Sequence, residues 1–272
     1  MTATIDGTNA EDAARRDALV ERLFEATLGA WDVLGVYIGD RLGLYRALTD
    51  RASASTSEEL AAATGTNERY VREWLEQQAS SGILAVDAAA AGAHERRYTI
   101  PAGHDEALLD ESSLNYIAPI GRLVVACTRP LDALLQAFRT GDGVPYADYG
   151  ADLHEGQARF TRPMFENLIG SEWLPAIPDV DARLRDDPPA RVADVACGEG
   201  RSTIAIARAY PKVRVEGVDS DEASIAAAET HLRSSGVEDR VVFHRVDAAD
   251  ADLAGQCDRS AWSGRAPLER AR

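Results

Sequence analysis

The stretch RVADVACGEGRSTIAIARAY, residues 191–210, decides the fold of the second half of this chain. The apolar run RVADVA predicts a short buried strand, and GRSTIAIARAY predicts a helix. Two glycines, Gly198 and Gly200, form the turn between them. The helix has four apolar positions that we expect to face inward: Ile204, Ile206, Ala207 and Tyr210.

Strand and helix patterns continue to alternate after this stretch. VRVEGVD predicts a second strand, DEASIAAAETHLRSSG a second helix, and RVVFHRVDAAD a third strand. Alternation at this length predicts a parallel sheet with right-handed crossovers. In such sheets the ligand lies beyond the carboxyl ends of the strands.

Three features fall at those carboxyl ends. Gly198 and Gly200 lack side chains, so a ligand can approach the backbone of the turn and the helix N-terminus. Asp219 ends the second strand, where a carboxylate can accept from both hydroxyls of a ribose. Asp247 ends the third strand, where it can accept from an exocyclic amine.

The residues around the glycines narrow the choice of nucleoside ligand. Gly200 is followed by Arg201, Ser202 and Thr203, so the third glycine of a dinucleotide fingerprint and the Gly-Lys pair of a phosphate-binding loop are both missing. Asp194 precedes the turn, where its carboxylate can brace the turn, disfavour a pyrophosphate and suit a cationic ligand. S-adenosylmethionine carries a sulfonium and an ammonium group, both positive.

DVACGEG, VEGVDSD and HRVDAAD resemble the first three motifs of the class I S-adenosylmethionine-dependent methyltransferases, whose first motif is usually D-x-G-x-G-x-G. The resemblance implies that the methionine end of S-adenosylmethionine is lined by Asp194, Ala196, Gly198 and Gly200. It places Asp219, with Ser220 beside it, at the ribose, and Asp247 with Ala248 at the adenine. Ala196 replaces the first glycine of the motif, a change that we expect to weaken binding at most modestly if its φ is negative.

The N-terminal half predicts a helix, a short helix, a longer helix and a hairpin. Ser55 or Ser57 is expected to cap a helix that Gly65 ends. Residues 36–102 resemble the winged-helix domain at the N-terminus of many small-molecule methyltransferases, which implies a homodimer and a lid on the substrate pocket.

Winged helices also bind DNA, and that alternative depends on the second helix of the pair. Here this helix carries Arg69 and Arg72 against Glu68, Glu73 and Glu76, so its net charge is negative. We therefore expect no nucleic-acid partner.

FTRPMFENLIGSEW resembles the linker helix of small-molecule O-methyltransferases. The resemblance implies that Phe160 and Met164 lie against cofactor and acceptor, although a plain core role is equally open. Tyr146 and Tyr149 are candidates for the pocket rim. No motif assigns a catalytic base to any of the five histidines, so the base stays unknown.

Composition sets limits on location and partners. The formal net charge is −16, no apolar run approaches the length of a membrane span, and the N-terminus lacks a signal-peptide pattern. The three cysteines lack metal-binding spacing. These features predict a cytoplasmic protein with no membrane association and no metal.

We expect an α/β chain in five parts: a flexible leader (1–15), a winged-helix dimerisation domain (16–104), a helical linker (105–188), a partial Rossmann-like domain (189–258) and an irregular tail (259–272). After Asp247 only a short polar stretch remains, in which Arg259 to Ala261 lack a strand pattern. This loss predicts a chain truncated or out of frame after about Cys257, with the first strand left as an exposed edge.

The sequence thus predicts methyl transfer from S-adenosylmethionine to a small molecule, with oxygen as the expected acceptor atom. Two alternatives stay open. One is a family remnant without catalysis that only dimerises or binds cofactor. The other is a winged-helix transcriptional regulator with a ligand-binding remnant.

Overall fold

The computed structural model describes four stretches of the chain: residues 5–49, 54–87, 92–247 and 259–261. The chain divides into two compact units. The first comprises Met1–Leu109 and Ile117–Thr128, and the second comprises Asp110–Tyr116 and Arg129–Arg272. Within the described stretches, no helix is both long and apolar enough to cross a membrane.

The first unit is a group of helices with a two-stranded wing. Its elements are α1 (Ile5–Arg41), α2 (Leu44–Thr49), α3 (Ser57–Thr64), α4 (Glu68–Ser80), β1 (Ala85–Asp87), β2 (Arg97–Thr99), α5 (His104–Leu109) and α6 (Ile120–Thr128). β1 and β2 pair antiparallel, with Val86 opposite Tyr98. The predicted winged-helix layout is confirmed.

The start of α3 differs from the prediction by one residue. Thr56 is the cap: its hydroxyl accepts from the N–H of Glu59 at 3.3 Å, and the Glu59 carboxylate accepts from the N–H of Thr56 at 3.1 Å. The predicted caps Ser55 and Ser57 are therefore wrong. Ser55 is instead held extended by two main-chain hydrogen bonds with Tyr98, at 3.1 and 2.9 Å, so the helix begins after it.

The predicted flexible leader is wrong from residue 5 onward, because α1 already begins at Ile5. This segment lacks an apolar period, but it is rich in alanine and in charged residues that favour a helix. Arg15 pairs with Glu11 at 3.8 Å and with Asp12, one turn earlier on the same helix. Nearer its end α1 joins the core, where Trp74 Nε1 donates to the carbonyl of Gly35 at 2.8 Å.

The second unit combines helices with a parallel sheet. Its elements are α7 (Leu131–Thr140), a 3-10 turn (Tyr146–Tyr149), α8 (Ala151–Leu168), a π-helical turn (Ile169–Trp173), α9 (Pro178–Arg185), β3 (Arg191–Val195), α10 (Arg201–Ala209), β4 (Arg214–Asp219), α11 (Glu222–Leu232), β5 (Val241–Arg245) and β6 (Arg259–Ala261). The four inward positions predicted on α10 and just after it are all buried.

The sheet has the order β5-β4-β3-β6, and all of its pairings are parallel. Asp194 lies opposite Gly217 of β4, and Asp219 lies opposite Arg245 of β5. The carboxyl ends of β3, β4 and β5 therefore meet at one edge, as the alternating pattern predicts.

The prediction for the end of the chain is wrong at residues 259–261. These residues form β6, which pairs with Val192 to Asp194 of β3, so β3 is an interior strand and not an exposed edge. Strand pairing uses main-chain groups, and a short polar strand is a common form for the edge of a sheet. The absence of an apolar run is therefore no obstacle to a fourth strand here.

Candidate active site

The turn between β3 and α10 carries the backbone conformations expected of a glycine-rich loop. Ala196, Gly198 and Gly200 all have positive φ, at 60°, 53° and 73°. Ala196 is also exposed. The expectation that Ala196 weakens binding only modestly required a negative φ, which the structure does not have. An L-residue is strained at positive φ.

The two glycines of the turn have different surroundings. A Cβ atom built on Gly198 meets nothing within 4 Å, so this side of the turn is open to a ligand. A Cβ on Gly200 would lie 2.3 Å from the ring of Phe243 and 2.9 Å from the Cβ of Ala228. Gly200 is therefore required by packing, and the prediction that its missing side chain admits a ligand is corrected.

Asp219, at the end of β4, organises the turn. Its Oδ2 accepts from the N–H of Gly198 and its Oδ1 from the N–H of Asp221, both at 2.9 Å. Each carboxylate oxygen has a further lone pair, so the half-buried side chain can still accept from a ribose.

The residues predicted beside the ribose and at the adenine follow shortly after β4 and β5. Ser220 is exposed directly after β4, and Asp247 is exposed two residues beyond β5. Ala248 lies outside the described residues. The assignment of Asp247 and Ala248 to adenine stays a prediction.

Asp194 clamps the end of β3 to the first turn of α10. Its Oδ2 accepts from the hydroxyls of Ser202 at 2.6 Å and Thr203 at 2.7 Å. Burial raises the pKa of the Asp194 carboxyl, and the two hydroxyl donors oppose that rise. The predicted bracing role thus acts through the hydroxyls of the helix.

A cavity of about 760 Å³ opens beside this turn. Its lining includes five of the predicted site residues: Tyr146, Met164, Asp194, Ala196 and Gly198. The predicted residues Tyr149, Phe160, Gly200, Asp219, Ser220 and Asp247 are not part of that lining. The sequence therefore identifies the residues of the glycine turn, one residue of α8 and Tyr146, but not the rest of the lining.

One face of α8 forms a wall of the cavity. Its members recur at helical spacing: His154, Gln157, Ala158, Thr161, Met164 and Phe165. Phe160 lies at the edge of this face and does not line the cavity. Of the predicted pair Phe160 and Met164, only Met164 lines it, beside Thr161 and Phe165. Trp173 stacks edge-on against Phe165, with ring centroids 6.2 Å apart, and continues the apolar wall.

Charged side chains of both signs reach the cavity from the turn. Glu199 and Arg201 line it together with Asp194. Burial raises the pKa of the Glu199 carboxyl, against the opposing field of His231, whose Nδ1 lies 4.0 Å away. Sequence reasoning named neither Glu199 nor Arg201 as a site residue.

His154 is a further site residue that the sequence left without a role. It lies in the first turns of α8, lines the cavity, and packs against Tyr146 with ring centroids 4.7 Å apart and planes tilted by 52°. Its Nδ1 lies 3.6 Å from Oδ2 of Asp221. Asp221 is fixed in turn, since it caps α11 by accepting from the N–H of Ser224 at 2.7 Å.

The side chains that commonly bind metals lie apart in the described part of the chain. Among those residues, no three histidine, cysteine or carboxylate side chains lie close enough to hold an ion. Cys197 lines the cavity but is buried, and burial raises the pKa of its thiol.

Family models match both halves of the chain. Residues 29–110 match the Rv2258c-like winged HTH domain, and residues 192–263 match a methyltransferase domain. The chain therefore combines a segment similar to a winged-helix domain with a segment similar to a methyltransferase domain. The cofactor of this domain family is S-adenosylmethionine, in agreement with the resemblance of the three sequence motifs.

Curated relatives match shorter stretches. The release factor glutamine methyltransferase of Rhodopirellula baltica is 28% identical over 120 residues, which are 41% of this chain and 39% of the relative. The trans-aconitate 2-methyltransferase of Rhodopseudomonas palustris is 32% identical over 75 residues, 28% of this chain and 29% of the relative. The chain thus spans well under half the length of these relatives.

Solved structures share the fold over most of the chain. The mitomycin 7-O-methyltransferase MmcR aligns with a TM-score of 0.61 at 21% identity, over 86% of this chain and 68% of that one. Human N-acetylserotonin methyltransferase, solved in complex with S-adenosylmethionine, gives 0.60 at 16% identity, over 84% and 66%. The riboflavin-derivative dimethyltransferase RosA of Streptomyces davawensis gives 0.53 at 20% identity, over 90% and 72%.

The residues at the turn fit S-adenosylmethionine. The backbone at Gly198 faces open space, Asp194 and Glu199 give the cavity acidic side chains that suit a cationic ligand, and Asp219 keeps acceptor capacity at the end of β4.

Proposed function

We propose that this methyltransferase transfers the methyl group of S-adenosylmethionine to an oxygen of a small-molecule acceptor. One observation carries the proposal: a single cavity of about 760 Å³ joins the glycine turn to the face of α8. That volume lies in the upper part of the range for ligand pockets, about 300–1,000 Å³. It therefore has room for the methionine end of the cofactor beside an acceptor.

Residues of the turn would hold the cofactor. We propose Asp219 for the ribose hydroxyls and the open backbone at Gly198, with Asp194 and Ala196, for the methionine end. Asp247 and Ala248 would lie at the adenine. When bound, S-adenosylmethionine supplies an electrophilic methyl group on a sulfonium.

The apolar wall would position the acceptor and exclude water. Met164, Phe165 and Trp173 offer flat and flexible apolar contacts, which favour an acceptor with an apolar body. Methyl transfer depends mainly on such positioning, because two reactants held in line react far faster than two in solution.

We propose His154 as the proton acceptor for the hydroxyl that is methylated. The Nδ1 of its ring faces Asp221 at 3.6 Å, which leaves Nε2 to take the proton. The oxygen–methyl bond would form as the sulfur–methyl bond breaks, its electron pair staying on sulfur as S-adenosylhomocysteine leaves, and Nε2 of His154 would take the proton of the broken O–H bond. General-base help of this kind contributes about 10²- to 10⁴-fold to a rate.

Cofactor binding is the first test of the proposed function. Isothermal titration with S-adenosylhomocysteine should give micromolar affinity, and Asp219→Ala should lower it at least tenfold. Asp239→Ala is the matched control, since Asp239 is an exposed aspartate whose Arg240 contact is 3.9 Å long. If a folded wild-type protein binds no S-adenosylhomocysteine, the proposed function is wrong.

The acceptor side needs its own test. Wild-type protein and His154→Gln would be incubated with radiolabelled S-adenosylmethionine and a panel of phenols and hydroxyquinones. We expect methyl transfer to at least one acceptor, at least 100-fold slower in His154→Gln, with unchanged affinity for S-adenosylhomocysteine. Equal rates for both proteins would exclude His154 as the base.

We propose a homodimer as the working form, formed through the first unit. The middle of α1 presents an apolar stripe, each member at least 52% exposed: Leu19, Val20, Leu23, Phe24, Leu28 and Trp31. An apolar stripe of this size marks an interface, and a second copy offers the same stripe in return. Light scattering after size-exclusion chromatography should give twice the chain mass.

A nucleic-acid partner is disfavoured by the contacts of α4. Arg69 pairs with Glu73 at 2.8 Å and Arg72 with Glu68 at 3.4 Å, so both arginines are neutralised on their own helix. Cytoplasmic location likewise stays a prediction of composition.

A further inference from the structure

Arg201 is a cationic side chain whose place in the cavity the fold does not explain. It is the first residue of α10, and it lines the cavity. The side chain is only 25% exposed, so the charge is largely withdrawn from water. Burial accordingly lowers the pKa of Arg201, with the nearby charge of Arg162 adding to the effect.

The ion pair of Arg201 is weak. Its Nη1 lies 3.9 Å from Oε1 of Glu166, which is beyond hydrogen-bond length. The same Glu166 oxygen accepts a hydrogen bond of 3.0 Å from Nε of Arg162. Glu166 is therefore engaged mainly by its neighbour on α8, and Arg201 keeps donors for a ligand carboxylate.

Two acidic residues close to Arg201 in the chain line the same cavity. Asp194 and Glu199 belong to the turn that leads into Arg201, and all three line the cavity. Two carboxyl groups beside one guanidinium provide partners for both ends of a zwitterion. The N-terminus of α10 adds a positive partial charge at Arg201.

We propose that Arg201 binds the carboxylate of the cofactor's amino-acid moiety, while Asp194 and Glu199 face its ammonium group. This assignment rests on the proposed function, because it requires S-adenosylmethionine in the cavity. Guanidinium is suited to the task, since its planar fork donates two parallel hydrogen bonds to a carboxylate. Arg201 would thus select ligands that keep the amino-acid group.

A pair of ligands isolates this contact. S-adenosylhomocysteine keeps the amino-acid moiety, whereas 5′-methylthioadenosine keeps the nucleoside and the sulfur but lacks that moiety. Titration calorimetry would measure both ligands against wild-type protein and Arg201→Met. We expect the variant to bind S-adenosylhomocysteine about 10- to 100-fold more weakly, the range for a hydrogen bond to a charged group. Its affinity for 5′-methylthioadenosine should change by less than about twofold, as expected for an untouched contact.

Two further variants complete the design. Arg201→Lys keeps the charge and should recover part of the lost affinity for S-adenosylhomocysteine. Arg233→Met removes the same charge from an exposed site outside the cavity lining and should leave both affinities unchanged. Thermal melting of each variant reports on folding.

Each alternative outcome has a defined meaning. Equal losses for both ligands in Arg201→Met would mean that Arg201 only supports the turn, and unchanged affinities would mean that it faces something else, such as an acceptor. Either result overturns the assignment while wild-type binding still supports the proposed function. Wild-type protein that binds neither ligand would overturn both.

Discussion

Replacing Ala196 by glycine should stabilise this protein, which is the reverse of the usual effect of that substitution. Ala196 has φ at 60°, in the left-handed region. An L-residue there is strained by about 1–2 kcal/mol, whereas glycine enters the region freely. Glycine also gives the unfolded chain more freedom, which costs about 0.4–1 kcal/mol. The net expectation is a gain of about 0.5–1 kcal/mol in the free energy of unfolding. In a chain of this size, each kcal/mol raises the melting temperature by roughly 2–4 °C.

The assay compares Ala196→Gly with the same substitution at a helical site. Ala226 is exposed in the middle of α11, where glycine should cost about 1 kcal/mol. Urea unfolding and thermal melting of both variants should therefore move in opposite directions from the wild type. The reasoning is refuted if Ala196→Gly destabilises the protein as much as Ala226→Gly does, since that would mean that Ala196 bears no strain.

Three other predictions follow from the contacts described. Gly200→Ala should lower the unfolding free energy by at least about 2 kcal/mol, because backbone strain at positive φ adds to a clash with Phe243. Adding Phe243→Leu in a double-mutant cycle should recover part of that loss. Additive losses from the two substitutions would contradict the clash. Burial raises the pKa of Asp194 in the folded protein. The unfolding free energy of the wild type, measured by urea titration relative to Asp194→Asn, should therefore fall as the pH rises from 3.8 through the folded-state pKa. A rise of that free energy over the same pH range would contradict a buried carboxyl. Trp31→Glu should yield monomers in light scattering, whereas Arg22→Glu on another face of α1 should leave the dimer intact; a wild type that is already monomeric would remove the basis for the proposed dimer.

The main features of the site were predictable because they depend on local pattern. The position of Asp219 follows from a strand that ends at a fixed place in an alternating α/β sequence. The parallel sheet brings that carboxylate to the glycine turn, where it accepts from the N–H of Gly198. The roles of the two glycines could not be separated in this way, because Phe243, more than 40 positions later, decides that Gly200 is a packing residue.

Residues of the cavity wall were missed for a similar reason. His154 carries no motif, and only the start of α11 brings Asp221 to within 3.6 Å of its ring. In the sequence, Arg201 stands out only because it departs from the pattern of a phosphate-binding loop. Its weak contact with Glu166 becomes informative only once α8 lies beside α10.

The sequence by itself determined the order of helices and strands, the winged-helix layout, the parallel sheet and the acids at its carboxyl edge. These depend on the period of apolar residues and on glycine, which act within a few residues. Tertiary structure alone decided the cap at Thr56, the strand at residues 259–261 and the wall of the cavity. Each of these depends on main-chain pairing or side-chain contact between distant segments: Ser55 pairs with Tyr98, β6 pairs with β3, and α8 faces the turn before α10. Main-chain pairing is nearly independent of side-chain type, so it leaves little trace in the sequence.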